Sequence, residues 1–229
     1  MFSTEEIGAE EEKTELFRRR VLASIRKKAG GGDLSDIREW GEETAGAAAV
    51  YPYTGRPWNE SPELSVPPER TAYVEADEDI DPDGIAPPAL LDAVRQSINF
   101  TPEGKSRQTL GMTDEKLYTR SIERIPMYVE IRDLVTPPGQ DTQVKTAIEA
   151  ALETYFLSLR PYIDGLDFEG ERNDEITDLS LSKAIQDVLQ ANNSTATGAG
   201  FGTTPAVFIG YYKLYPGQLT KLGLPVVYA

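Results

Sequence analysis

Three stretches of this chain carry residue types capable of chemistry. Asp79, Asp81, Asp83 and Gly84 follow the D-x-D-x-D-G order that opens a calcium loop. In such a loop alternate carboxylates converge on one hard cation. The pattern then breaks: Leu90 stands where the bidentate Glu belongs, and Pro82, Pro87 and Pro88 stiffen the turn. A solvated acidic loop is the plainer reading, with cation binding left open. Asp164, Asp167, Glu169, Glu171, Asp174 and Glu175 form a second acidic cluster, with Tyr162 and Phe168 close by in sequence. Two carboxylates at the right separation serve as acid and base on a glycosidic bond, but nothing in the sequence defines a cleft beside them. The third stretch, Gly198 to Thr204 (GAGFGTT), lacks the lysine of a Walker motif. It also lacks the preceding strand of a dinucleotide fingerprint, so a flexible linker is expected.

Composition narrows the choice. The 229 residues include no histidine and no cysteine. That removes disulfides, thiolate nucleophiles, Ser-His-Asp arrangements and the usual zinc ligands. The expectation is a protein that is not an enzyme and carries no cofactor or metal. A net charge of −15 repels phosphate backbones and anionic membranes, so neither nucleic acid nor membrane is an expected partner. No apolar run approaches the ~20 residues needed to span a bilayer. The acidic start MFSTEEIGAEEEK is unlike a signal peptide, which points to synthesis and folding in a cytoplasm.

The elements that would position these residues can be read in order. Ser3 and Glu6 suit a capping box ahead of a helix with one apolar stripe, Phe17, Val21 and Ile25, and Leu22 beside it. Its glutamates fall early and Arg18 to Arg20, Lys27 and Lys28 late, as the helix dipole favours. Gly30, Gly31 and Gly32 end it, and it reads as a docking helix that packs against another subunit. Asp33 is placed as an N-cap, Ile37 and Trp40 share a face, and Gly46 stops that helix before a strand over 47–53. A proline-rich connector over 54–70 contains Trp58, expected as its packing anchor. A strand over 71–76 precedes a helix over 87–98, and a strand over 127–131 precedes a helix over 142–159. The two strands share a Tyr-Val-Glu triplet, at 73–75 and 128–130, which fits either an internal repeat or convergence. Pro126 is expected at a strand start or edge.

The long helix shows Val144, Ala147, Ile148, Ala151, Leu152, Tyr155, Phe156 and Leu159 on one wide face, core within the chain or shared with a partner. Ser180 is the expected N-cap of a shorter helix bearing Leu181, Ala184, Ile185 and Val188. Residues 192–204 read as mobile, 207–214 as a strand and Pro216-Gly217 as a turn. The apolar end over 226–229 suggests a strand added to a sheet, its own or a neighbour's.

These elements predict an α+β chain of two strand–loop–helix (ferredoxin-like) units with an extended N-terminal helical segment. The expected divisions are an N-terminal helical docking segment over 1–46, a first unit with the proline-rich connector over 47–112, and a second unit over 113–229. The order of Trp40, the strand ending Ala49-Val50-Tyr51-Pro52, Tyr73 to Ala76, the helix over 87–98, the strand over 128–134 and the helix from Val144 to Phe156 resembles the baseplate J-like proteins of contractile phage tails. The likeness covers about residues 31–189. Two departures are the short portion before the Trp-bearing helix and a longer connector.

The resemblance implies a structural subunit of a baseplate wedge, assembled in the host cytoplasm and located in the virion. Such a subunit joins wedges into a ring around the hub and relays opening to the sheath. Its implied partners are further copies of itself and other wedge, hub and sheath proteins. The residues expected to make contacts are Phe17, Val21, Ile25, Trp40, Tyr155 and Phe156. A cytoplasmic carboxylate-dependent hydrolase and an acidic adaptor module remain the alternatives.

Overall fold

The structure, a computed structural model, describes residues 32–107, 116–205 and 207–229. These form four α-helices and eight strands, consistent with the expected α+β class. The helix expected around Phe17, Val21 and Ile25 lies outside the described residues.

Helix α1 (Leu34–Glu42) starts where the sequence places it. The Asp33 carboxylate accepts from the backbone N–H of Asp36 at 3.0 Å, and the Asp36 carboxylate accepts from that of Asp33 at 3.3 Å, a reciprocal capping box. Gly46, at φ +91°, then turns the chain into β1 (Ala47–Thr54) through a conformation that side chains disfavour. Strand β1 runs antiparallel to β2 (Arg70–Ala76), with Val50 opposite Val74. Helix α2 (Pro88–Asn99) carries the chain across the sheet, so that β3 (Leu117–Ser121) lies parallel to β2. Ile37, Val50, Val74, Leu90, Val94 and Ile98 close the first core. Because α1 buries Ile37 there, the described part of the expected docking segment belongs to this first unit.

A single residue, Ile122, separates β3 from β4 (Glu123–Arg132). The sequence division at 112/113 assigned 117–121 to the second unit; ladder hydrogen bonds to β2 place it in the first sheet instead. Ile122 is buried with Tyr51, Tyr73, Ile163 and Leu219 in a small third cluster that draws on both units. Strand β4 is the centre of the second sheet, antiparallel to β6 (Gly198–Gly202) and parallel to β8 (Gln218–Tyr228). Met127, Val129 and Ile131 alternate into the core from β4. Pro126 is tolerated mid-strand because β6 pairs only with Tyr128 to Arg132, which leaves that edge of Pro126 without a ladder partner.

Helix α3 (Asp141–Ser158) buries a narrower stripe than expected: Val144, Ile148, Leu152 and Phe156 are fully covered, while Ala147, Ala151 and Tyr155 are half-buried. Each fully buried side chain of this kind is worth about 1.5–3 kcal/mol in removal from water. Helix α4 (Asp178–Ala191) is capped by Thr177, a correction to the expected cap at Ser180. Thr177 Oγ1 accepts from the Ser180 N–H at 3.0 Å and Ser180 Oγ accepts from the Thr177 N–H at 2.9 Å, so Ser180 is the third helical residue.

The stretch read as a mobile linker over 192–204 contains β6. Ala199 and Phe201 point into the core, while alternate glycines form the outer face. The Arg132 guanidinium lies over Gly200 and the Val207 carbonyl over Gly202, positions that a side chain would fill. Of the strand expected over 207–214, only β7 (Tyr211–Lys213) forms, paired with β5 (Glu175–Thr177). The apolar end of the chain joins its own sheet through β8. Among the described residues no helix is long and apolar enough to cross a membrane.

Candidate interaction surfaces

Two clefts flank the joint between the sheets. The smaller, about 1000 Å³, lies between the end of β2 with its acidic loop and the α3–β8 side of the second unit. At its floor Arg124 donates to Glu75 Oε1 at 2.6 Å, to the Asp83 carbonyl at 2.8 Å and to the Thr220 carbonyl at 3.3 Å. The Tyr51 hydroxyl completes the group, donating to Glu75 Oε2 at 2.7 Å. Burial pushes the Tyr51 phenol pKa up, and the Glu75 charge pushes it further, so it remains a donor.

Two of the three carboxylates of the candidate calcium loop are engaged by groups of the chain itself. Asp81 Oδ1 accepts from the backbone N–H groups of Asp83 and Ile85, and Asp83 Oδ2 pairs with Lys221 at 2.7 Å. Among the described residues no group of three or more Asp, Glu, His or Cys is arranged to hold a metal ion.

The larger cleft, about 1080 Å³, is a groove between α1 and the loop over 160–173. Arg38 reaches across it to Asp167 Oδ1 at 3.4 Å, while Asp167 Oδ2 accepts from the Ile163 N–H at 2.8 Å. Asp174 is buried and takes two hydrogen bonds from Arg172, at 3.1 and 3.0 Å. Two members of the acidic cluster thus serve as ties that shape the groove wall, with no free carboxylate pair between them.

The contact residues expected from the sequence separate by burial. Phe156 is 0% exposed inside the second core, so it cannot meet a partner, which corrects that expectation. The corresponding physical cause is the steep i, i+4 stripe of α3. Tyr155 is half-buried, with its ring 5.3 Å from that of Phe156 and its hydroxyl 2.8 Å from Ser180 Oγ. Trp40 is half-buried against the first core; the Arg107 guanidinium sits 4.9 Å from its ring centroid, and its carbonyl accepts from Ser97 Oγ at 2.6 Å. Phe17, Val21 and Ile25 lie outside the described residues.

The surface that sequence reasoning missed is the run from Val207 to Tyr211. Val207 is 56% exposed and Tyr211 50%, with Phe208 and Ile209 also exposed between them and Gly210. The Ile209 N–H donates to the Phe201 carbonyl at 2.9 Å, so the run lies along the outer side of β6. Tyr211 pairs with Thr177, which brings the first turn of α4 alongside, where Leu179 is 79% exposed. In the same turn Asp178 Oδ1 is buried without a hydrogen-bond partner among the described residues. The signal was present as VFIGYY, an apolar run without the alternation of a half-buried strand. Comparison of the sequence with protein-family models and with curated proteins finds no match.

Proposed function

We propose that the chain is a structural, non-catalytic subunit of a contractile-tail baseplate wedge of the baseplate J-like kind. In this reading it joins wedges into a ring around the hub in the virion, bound to copies of itself and to other wedge, hub and sheath proteins. Its two strand–loop–helix units are then the ferredoxin-like modules expected from the sequence, each reduced to a three-stranded sheet.

The observation that carries an assembly role is the exposed apolar surface of Val207, Phe208, Ile209, Tyr211 and Leu179. A group of large apolar side chains held in water is costly unless a partner covers it, and such patches mark interaction sites. The baseplate assignment itself rests on the order of sequence elements. Negative-stain electron microscopy of the purified chain, alone and with the products of the neighbouring genes, tests both. Closed rings and flanking tube, sheath and spike genes are the expected result. A chain that stays monomeric with every neighbour, in a setting without tail genes, would overturn the reading.

A further inference from the structure

Charge is missing from one long stretch of the sequence, and the fold brings part of that stretch to the surface. Residues 188–212 contain no Asp, Glu, Lys or Arg, the longest such gap in a chain that is 27% charged. Within it Val207, Phe208, Ile209 and Tyr211 are exposed, and Gly210 faces the Asp178 carboxylate, which sets Leu179 beside them. At one end of this surface Arg132, which lies with Phe208 over Gly200, is paired with Glu130 at 2.9 Å. At the other end Lys213 stands opposite Glu175 in the β5–β7 ladder. One acid and one base thus border each end, so the surface is close to neutral in a molecule of net charge −15. We propose that it is an isologous contact, joining two copies of this chain about a twofold axis.

Charge selects the occupant. A basic partner gains most where carboxylates are dense, and this surface has few. Two copies of an acidic chain repel each other least where both are neutral. A twofold contact turns one end of the surface toward the other end on the partner copy. With an acid and a base at each end, neither end meets like charge alone. The area also suffices. The five exposed side chains present roughly 500 Å² of apolar surface, so covering them on both copies buries about 1,000 Å², the lower bound for a specific interface. That size suits a reversible dimer rather than an obligate one. The inference rests on the proposed assembly role of this surface and names its occupant; ring closure is left to other surfaces.

Sedimentation equilibrium of the full chain, from low micromolar to submillimolar concentration, should fit monomer and dimer with no larger species. In a mixture of isotope-labelled and unlabelled chains, filtered NOE spectra should show contacts between copies from the Leu179 and Ile209 methyl groups. Leu179→Asp should raise the dimer dissociation constant at least about tenfold. An acid in the first turn of a helix suits its dipole, so α4 stays folded in this variant. Leu64→Asp, at an exposed apolar residue of the connector, should leave the constant unchanged. A dimer indifferent to Leu179→Asp, or open-ended oligomers, would overturn the proposal, as would a chain that stays monomeric throughout. If the chain is monomeric while a neighbouring gene product slows amide exchange over 207–211, the second copy is excluded and the assembly role of the surface stands.

Discussion

The Arg124 guanidinium spends three of its donors on groups brought together from three places: Glu75 at the end of β2, the acidic loop at Asp83, and Thr220 on β8. Its side chain and that of Glu75 are only 9% and 10% exposed. An ion pair this far out of water gains little over an apolar pair of the same shape, yet removal of one partner strands the other. Arg124→Met should therefore lower unfolding stability by about 3 kcal/mol in urea denaturation. The double variant Arg124→Met, Glu75→Gln should recover part of that loss, because the stranded charge is gone. A single-variant cost under about 1 kcal/mol, as for a surface pair, would show that water reaches this group.

Among the elements, the connector between β1 and β2 is held by a carboxylate more than by apolar contacts. Glu69 accepts from the Val66 N–H at 2.8 Å and from Arg56 Nε at 3.2 Å, and these bonds hold its carboxyl below the ordinary value of 4.5. Glu60 is held down in the same direction by its hydrogen bonds with Arg120. A carboxylate with a lowered folded pKa contributes stability that is complete above the unfolded value and is lost as pH falls through the folded one. Below about pH 4.5 the connector should loosen first. Trp58, whose ring stacks on Tyr215 at 4.9 Å, reports this by fluorescence in a Trp40→Phe background. Glu69→Gln should remove most of the acid transition; an unaltered transition would place the titrating group elsewhere. A second element-level prediction concerns β6. Gly202→Ala would drive a methyl group into the Val207 carbonyl, a backbone atom, and should release the run over 207–209 from β6, read as faster exchange of the Ile209 amide. The same strand explains what the sequence conceals. The α3 stripe, the Asp33 cap and the β2 and β4 strands were legible because each follows a local period or a local hydrogen bond. Strand β6 was not, since its glycines make room for the Arg132 guanidinium, remote in sequence, and for the Val207 carbonyl, which only the turn after the strand folds back over its outer face. Ser180 was misassigned by three residues because both members of a capping box are hydroxyl residues, and either could be the cap. The exposed run over 207–211 was legible as apolar, while its exposure depends on tertiary structure.

At the scale of the whole molecule, two units meet through Ile122, the cluster of Tyr51, Tyr73, Ile163 and Leu219, and the Arg124 group. This joint leaves the apolar run over 207–211 on the surface of the second unit, in a chain of net charge −15. Two forces then oppose each other when copies meet: burial of Val207, Phe208, Ile209 and Leu179 favours association, and like charge resists it. Salt separates these contributions, since the Debye length is about 10 Å at 0.1 M and about 3 Å at 1 M. If the apolar surface drives assembly, sedimentation equilibrium should show self-association strengthening as salt rises. Ile209→Asp should weaken it by at least about tenfold, the equivalent of about 1.4 kcal/mol, and leave the fold intact because Ile209 is 42% exposed. An acidic adaptor docking on a basic partner predicts the opposite salt dependence, with binding that fades as salt rises and is indifferent to residue 209. The sign of the salt effect therefore decides whether charge or apolar area brings this molecule to its neighbours.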